Sequence, residues 1–402
     1  MNWDLERFGD VCDFVRGPFG GSLKKSIFKP DGHAVYEQQH AIYDQFEDIR
    51  YFIDEEKFSE MSRFELKPND LIMSCSGTMG KIAIVPHGIK QGIINQALLK
   101  LTPKDALLPE FLKLWMDSPN FQQQIEAMSQ GAAIKNMASV KILKEIKVPV
   151  PKVSEQQRIV AILDQAFADI EKARANAEKN LKNARELFDS YLQQVFSQRG
   201  EGWVEHKLVE VVDVIDSLHK TPKYSDTGYA MVRVTDIKPG ALDLSKTRKV
   251  CKATYEEFSK RYKARVGDIV FSRVGSYGKS SIVTSNEPFC LGQNTVFLAP
   301  SMNGYYFYYF LNSPRAKEQI DALVAGTTQP TVSLKSLKSL DIPIPAAEIQ
   351  LKIVTELNHF SDEIGNLESI YKNKLASLDE LKKSLLQQAF SGELTKTEGH
   401  AA

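Results

Sequence analysis

Two glycine turns in this chain follow strand-like runs and carry hydroxyls and cations. One, CSGTMGK, offers Ser76, Thr78 and Lys81; the other, SRVGSYGK, offers Arg273, Ser276, Tyr277 and Lys279. Backbone amides, hydroxyls and Lys or Arg at such a turn suit contact with phosphate oxygens. The segment GSYGKSS falls short of a nucleotide-binding loop. That loop needs four residues between its glycines, and Arg273 stands where the first should be. The plain alternative for both turns is a hairpin whose glycines only satisfy backbone geometry. A second pair of loops carries Lys135 and Asn136 in one place and Thr327, Thr328 and Gln329 in another. Asn and Gln can pair bidentately with adenine, and Arg or Lys with guanine. LHKTPKY, which contains Lys220, and RYKAR add further basic and aromatic groups. These residues together form a candidate nucleic-acid contact set.

No residues point to catalysis. There is no GxGxxG, no Asn/Asp-Pro-Pro-aromatic tetrad of an amino-methyltransferase, no nuclease-type cluster of carboxylates and lysine, and no compelling Ser/His/Asp or Cys/His set. Cys12, Cys75, Cys251 and Cys290 are scattered without a CxxC pair, and His33 and His40 lack neighbours at ligand spacing, so neither a metal site nor a disulfide frame is expected. The 51 basic residues balance the 51 acidic ones, which excludes a gross polycation but leaves room for a local basic face. With no apolar run near membrane-spanning length and a start of MNWDLERFGD, the chain is expected in the cytoplasm and off the membrane.

The elements that would position these residues occur twice. Strand-like runs DLIMSC, KIAIVP and ALLKLTP surround the first turn; FLKLWM reads as a helix that stops before Ser118-Pro119, and IKVPVP is extended. In the second half GDIVFSRVGSYGKSSIV answers NDLIMSCSGTMGKIAIV, FYYFLNSPRAKEQI answers FLKLWMDSPNFQQQI, and DIPIP answers KVPVP. A long helix follows each copy, from about Ser154 to Gln198 and from about Glu348 to Gly392, with Gln156 aligned to Gln350. Apolar residues advance along both by alternating steps of four and three: Ile159, Leu163, Ala166, Ile170, Ala173 and Ala177, then after an extra step of four Leu181, Ala184 and Phe188; and Ile353, Leu357, Phe360, Ile364, Leu367 and Tyr371, then Leu375, Leu378 and, further on, Leu385. That is a coiled-coil seam, with a shared stutter at Ala177 to Leu181 and Tyr371 to Leu375. The expected fold is α+β: residues 1–151 and 200–346 are two pseudo-symmetric units, residues 152–199 and 347–394 are long helices paired antiparallel, and residues 395–402 are a disordered tail. The expected shape is a dumbbell.

With these marks in view, the chain resembles the specificity (S) subunit of type I restriction-modification systems. The most specific marks are EQQRIVAIL after the alternating prolines, LLQQAFSGEL at the end of the second helix, and the strand-and-turn pattern GD-(I/L)-(V/I) followed by GxxGK in each unit. The second helix departs from the pattern, with EIQLKI where EQQRI is usual. The resemblance implies two target-recognition domains, each reading one half of an asymmetric bipartite site on double-stranded DNA. It also implies helices that space those domains and dock two methyltransferase subunits, with restriction subunits joining through the complex. The chain itself would be non-catalytic and hold no cofactor; S-adenosylmethionine, ATP and magnesium would belong to the partner subunits. A different reading of the same residues is a coiled-coil scaffold joining two protein-binding domains, without nucleic acid.

Overall fold

The structure is a computed structural model that describes residues 3–129, 140–197, 202–326 and 329–396. It separates into two compact units, Met1–Ala177 with Asn373–Ala402, and Glu178–Lys372. The sequence reading set the long helices apart from the globular parts; the compact units instead each take half of both helices. Packing explains this. Ile159, Leu163, Leu386 and Ala389 share one buried core with Phe111 and Trp115, and Leu192, Phe196 and Leu357 share another with Tyr306 and Phe310. Burying side chains of this size stabilises each unit by roughly 1.5–3 kcal/mol apiece, so the helix ends belong to the cores they complete.

Each unit is α+β. In the first, a four-stranded antiparallel sheet has the order Cys12–Arg16, Leu98–Pro103, Leu71–Ser74, Ile82–Ile84. The helix Pro109–Asp117 covers one face with Phe111, Leu112, Trp115 and Met116. It ends at Asp117 because Ser118 turns extended, and the Ser118 hydroxyl donates back to the Trp115 carbonyl at 2.6 Å. A second sheet of Phe52–Ile53, His33–Tyr36 and Gly92–Ile94 backs the opposite face. The sequence reading missed this sheet. Its strands are two to four residues long and largely buried, so no polar alternation marks them.

The second unit repeats the plan with Val212–Asp216, Thr295–Pro300, Ile269–Ser272 and Ser280–Ile282 in that order, under the helix Gly304–Asn312. Its second sheet runs Tyr224–Ser225, Arg248–Val250, Tyr229–Val232, Phe289–Leu291. The Gly/Asn-Asp dipeptide before the third strand has a geometric job in both copies. Asn69 and Gly267 take left-handed φ values of 69° and 93°. The following carboxylate then closes the turn, Asp70 accepting from Lys67 N at 2.8 Å and Asp268 from Arg265 N at 2.7 Å.

The long helices are Val153–Ser197 and Ala347–Ser391. They run antiparallel within each unit: Arg174 pairs with Asp379 and Glu171 with Lys382 in the first, and Arg185 with Glu368 in the second. Of the seam residues, Ile159, Leu163, Ile170, Leu357 and Ile364 are buried. Leu181, Phe188, Ile353, Leu375 and Leu385 are half-buried, with Phe188 and Phe360 rings 5.9 Å apart. Toward the globular ends the most buried face moves one residue on, to Val354 and Leu386, where a sheet-and-helix core replaces the partner helix. The chain remains ordered past Gly392 to Lys396, with Thr395 buried, two residues into the stretch expected as a tail.

Candidate nucleic-acid interface

Both glycine turns are built by the same buried serine. Ser74 and Ser272 close their strands, and each hydroxyl accepts the backbone N–H of the turn's lysine, Lys81 at 3.0 Å and Lys279 at 3.2 Å. The glycines adopt left-handed φ, 64° and 74° at Gly77 and Gly80, 71° and 76° at Gly275 and Gly278. Backbone geometry therefore accounts for the glycines of GxxG. What the turn then presents is decided by its other residues. Thr78, Lys81, Ser276 and Lys279 are exposed and Ser76 is half-exposed.

In the second unit the two candidate loops are one structure. Gly275 N donates to Pro330 O at 3.0 Å, Val332 N donates to Arg273 O at 2.9 Å, and Val274 and Thr331 form an antiparallel bridge. Exposed Gln329 thus stands beside the Arg273–Lys279 turn. Thr327, Thr328, Lys135 and Asn136 lie outside the described residues.

Two other candidates are already engaged. The Tyr277 phenol is hydrogen-bonded to Asp321, which holds its pKa above the ordinary tyrosine value. Its ring, with Lys279, Tyr305, Tyr308 and Lys317, lines a cleft of about 650 Å³ against the helices. Lys220 Nζ is paired with Glu257 at 2.5 Å. Tyr277 as a free phosphate-contacting hydroxyl and Lys220 as a free cation are corrected accordingly; both reach partners on helices that the local sequence does not reveal.

At the same end of the sheet the candidate Arg273 has partners, Asp216 and through it His219, that sequence reasoning missed. Arg273 is 8% exposed. Its Nη2 stands 3.3 Å from Asp216 Oδ1, while His219 Nε2 lies 2.9 Å from Asp216 Oδ2. The Arg273–Asp216 contact lacks hydrogen-bond alignment, and Arg273 Nε, Asp216 Oδ1 and Ser217 Oγ are buried without a hydrogen-bond partner. In the first unit the corresponding pair is Arg16 and Cys75. Burial pushes the Cys75 thiol up to about 11, and the Arg16 guanidinium beside it, hydrogen-bonded to the sulfur, pulls the other way. The available signal was the RGPFGG segment, where a cation ends the strand CDFVR just before a glycine-rich turn.

Among the described residues, no group of three His, Cys, Asp or Glu side chains is placed to hold a metal ion. No helix among them is long and apolar enough to cross a membrane. In the first unit the acidic stretch DQFEDIRYFIDEE, residues 44–56, has three of its six carboxylates paired within the unit, Asp44–Lys113 at 2.6 Å, Asp54–Lys29 at 3.1 Å and Glu55–His33 at 2.7 Å.

Two α+β units on one strand plan, each with a serine-closed glycine turn and followed by a long helix, define a class of duplicated recognition proteins. The family model for the type I restriction modification DNA specificity domain matches residues 1–179 and 200–375, and the chain belongs to that family, whose role is DNA sequence recognition. It is 24% identical over 358 residues to the type I restriction enzyme EcoBI specificity subunit of Escherichia coli, covering 82% of this chain and 74% of that protein. With the MjaVIII specificity subunit of Methanocaldococcus jannaschii it shares 23% over 421 residues, 98% of this chain and 93% of that one. Among solved structures, a chain from a study of complex assembly and conformational transition of the type I R-M system superposes with a TM-score of 0.78 at 19% identity, over 98% of both chains. The HsdS subunit of Thermoanaerobacter tengcongensis gives 0.59 at 19% identity, over 98% of this chain and 97% of that one.

Proposed function

We propose that this chain is the non-catalytic sequence-recognition subunit of a type I restriction-modification complex. Each unit reads one half of an asymmetric bipartite DNA site, and the long helices fix the gap between the halves. The observation that carries this reading is the contrast at the sheet end that carries the glycine turn. The strands, the serine-closed turn, its lysine and its left-handed glycines are the same in both units, while neighbouring side chains differ, Ser76 and Met79 against Val274 and Tyr277, and Arg16 with Cys75 against Asp216 with Arg273. A constant frame with different readers suits two different half-sites.

The helices favour two copies of one partner. Leu187 and Leu381 occupy equivalent positions on the two helices and are 53% and 46% exposed. Equivalent apolar positions on duplicated helices suit two methyltransferase subunits, with restriction subunits joining through them. S-adenosylmethionine, ATP and magnesium would be held by those partners, because base methylation needs the target flipped into a cofactor-bearing pocket and no catalytic constellation was found in this sequence.

The test is sequencing that detects methylated bases in the native host, with and without the gene. Loss of one split motif is expected on deletion. Replacing residues 1–151 with those of another family member should then change one half-site alone. Unchanged methylation on deletion would instead favour a coiled-coil scaffold without nucleic acid.

A further inference from the structure

We propose that Arg16 and Arg273 are the specificity-determining side chains of their units, each guanidinium donating to a guanine in its own half-site. The inference rests on the DNA-recognition reading above and names the residues that would carry it.

Strand register places the two arginines in the same pair of neighbouring positions of their two equivalent sheets. Arg16 ends its strand opposite Leu99, which lies opposite Met73; Asp216 ends its strand opposite Val296, which lies opposite Phe271. Two residues beyond Met73 comes Cys75, and two beyond Phe271 comes Arg273. Arg16 with Cys75 and Asp216 with Arg273 are therefore the same pair of positions. The guanidinium has moved from one strand to the other, and its neighbour has changed from a neutral thiol to a carboxylate. An ion pair kept for stability would be kept as a pair, since a buried charge is tolerated only with its counter-charge. Here the cation alone is constant, at the sheet end that carries the glycine turn.

The second unit adds the hydrogen-bonding argument. A guanidinium has five donors, and in the Arg273 neighbourhood three buried polar atoms lack a hydrogen bond, Arg273 Nε, Ser217 Oγ and Asp216 Oδ1, the last holding only the 3.3 Å ion pair. Buried polar groups are costly unless bonded. A base edge would supply what is missing: guanine O6 and N7 accept from the arginine fork, and a cytosine amino group donates to a carboxylate such as Asp216. In the first unit Cys75 cannot accept as a carboxylate would, so Arg16 is left to read guanine without that second contact.

The experiment uses the full chain assembled with its methyltransferase partner, with methylated motifs mapped by sequencing. The wild-type motif comes first; absence of any bipartite motif would defeat the DNA-recognition reading itself. With that motif in hand, Arg16→Ala should relax one G·C position in one half-site and leave the other half-site intact, and Arg273→Ala should do the reverse. Methylation of the original site should fall about tenfold or more, the scale of losing one bidentate base contact. Arg16→Lys and Arg273→Lys keep the charge, guard against misfolding of the alanine variants, and should relax the same positions. The proposal is overturned if folded variants of either kind keep the motif unchanged, if methylation weakens equally on all sequences as for a phosphate contact, or if either wild-type half-site contains no G·C pair.

Discussion

Gln156 reaches back from the first turn of its long helix and donates through Nε2 to the Pro151 carbonyl at 2.8 Å. Its Nε2 also meets Ala106 O at 2.8 Å, and its Oε1 accepts from Leu108 N at 2.8 Å, so one fully buried amide ties helix, proline strand and covering helix together. Gln350 repeats the device, donating to Pro345 O at 2.8 Å and accepting from Asn303 N at 3.1 Å. The glutamine that the second helix retains within EIQLKI is thus the one that makes this joint.

Removing the amide leaves buried backbone groups without partners, each worth roughly 1–3 kcal/mol. Gln156→Ala should therefore destabilise the first unit by about 3 kcal/mol, and Gln350→Ala, with one contact fewer, should destabilise the second by about 2 kcal/mol. Urea unfolding of the purified variants measures both. Equal, near-zero losses would show that water replaces the joint.

Glu368 accepts from Arg185 Nε at 2.8 Å and from Lys372 at 2.7 Å. The Arg185 hydrogen bond first, then the Lys372 one, holds its pKa down to about 2 from 4.5. A depressed carboxylate contributes stability above its unfolded pKa and loses it as pH falls through the folded one. Glu368→Gln should lower the thermal midpoint slightly at neutral pH, by about 0.5 kcal/mol given the exposed arginine. That gap should close between pH 4.5 and 2; a gap that persists at the acid end would contradict the pairing.

Asp117 closes the Pro109–Asp117 helix beside a cleft shared with Lys113, Asp164, Phe167 and Lys382. Part of the side chain stays exposed, yet loss of water around the carboxylate pushes its pKa up to about 6 against the pull of Lys113, Lys81 and Lys382. A carboxylate at a helix C-terminus is disfavoured in the same direction. The second unit has Asn312 at this place, its amide donating to Ser280 Oγ at 2.8 Å. Because the folded pKa is raised, the stabilisation of the neutral form is present at low pH and is lost as pH rises through about 6. Wild type should therefore fall behind Asp117→Asn in thermal midpoint across that range and stay behind above it. Parallel pH profiles for the two proteins would count against this environment.

The antiparallel pairing sharpens the spacing test. Arg174 faces Asp379 and Arg185 faces Glu368, so lengthening one helix alone would only buckle it. One heptad added in both, within residues 173–187 and 366–380, keeps the seam in phase. The mapped motif should keep both half-sites and widen the gap. An unchanged gap would remove the spacing role from the helices.

Much of this protein is legible in its residues. The step-three, step-four rhythm of Ile159, Leu163 and Ile170 determines a helix, because side chains that far apart share one face of a 3.6-residue turn. The glycines of GTMG and GSYG mark left-handed turns because other residues pay a steric penalty there, and Asp70 and Asp268 mark the turn before a strand by each accepting from the amide three residues earlier. All of these are relations between near neighbours in the chain. Tertiary structure alone decided that the Tyr277 phenol is engaged by Asp321, that Lys220 is paired with Glu257, and that Arg16 and Arg273 fall in equivalent pairs of neighbouring sheet positions. Those relations join residues on different strands and helices, and a side chain's availability to a ligand depends on what the folded chain brings beside it.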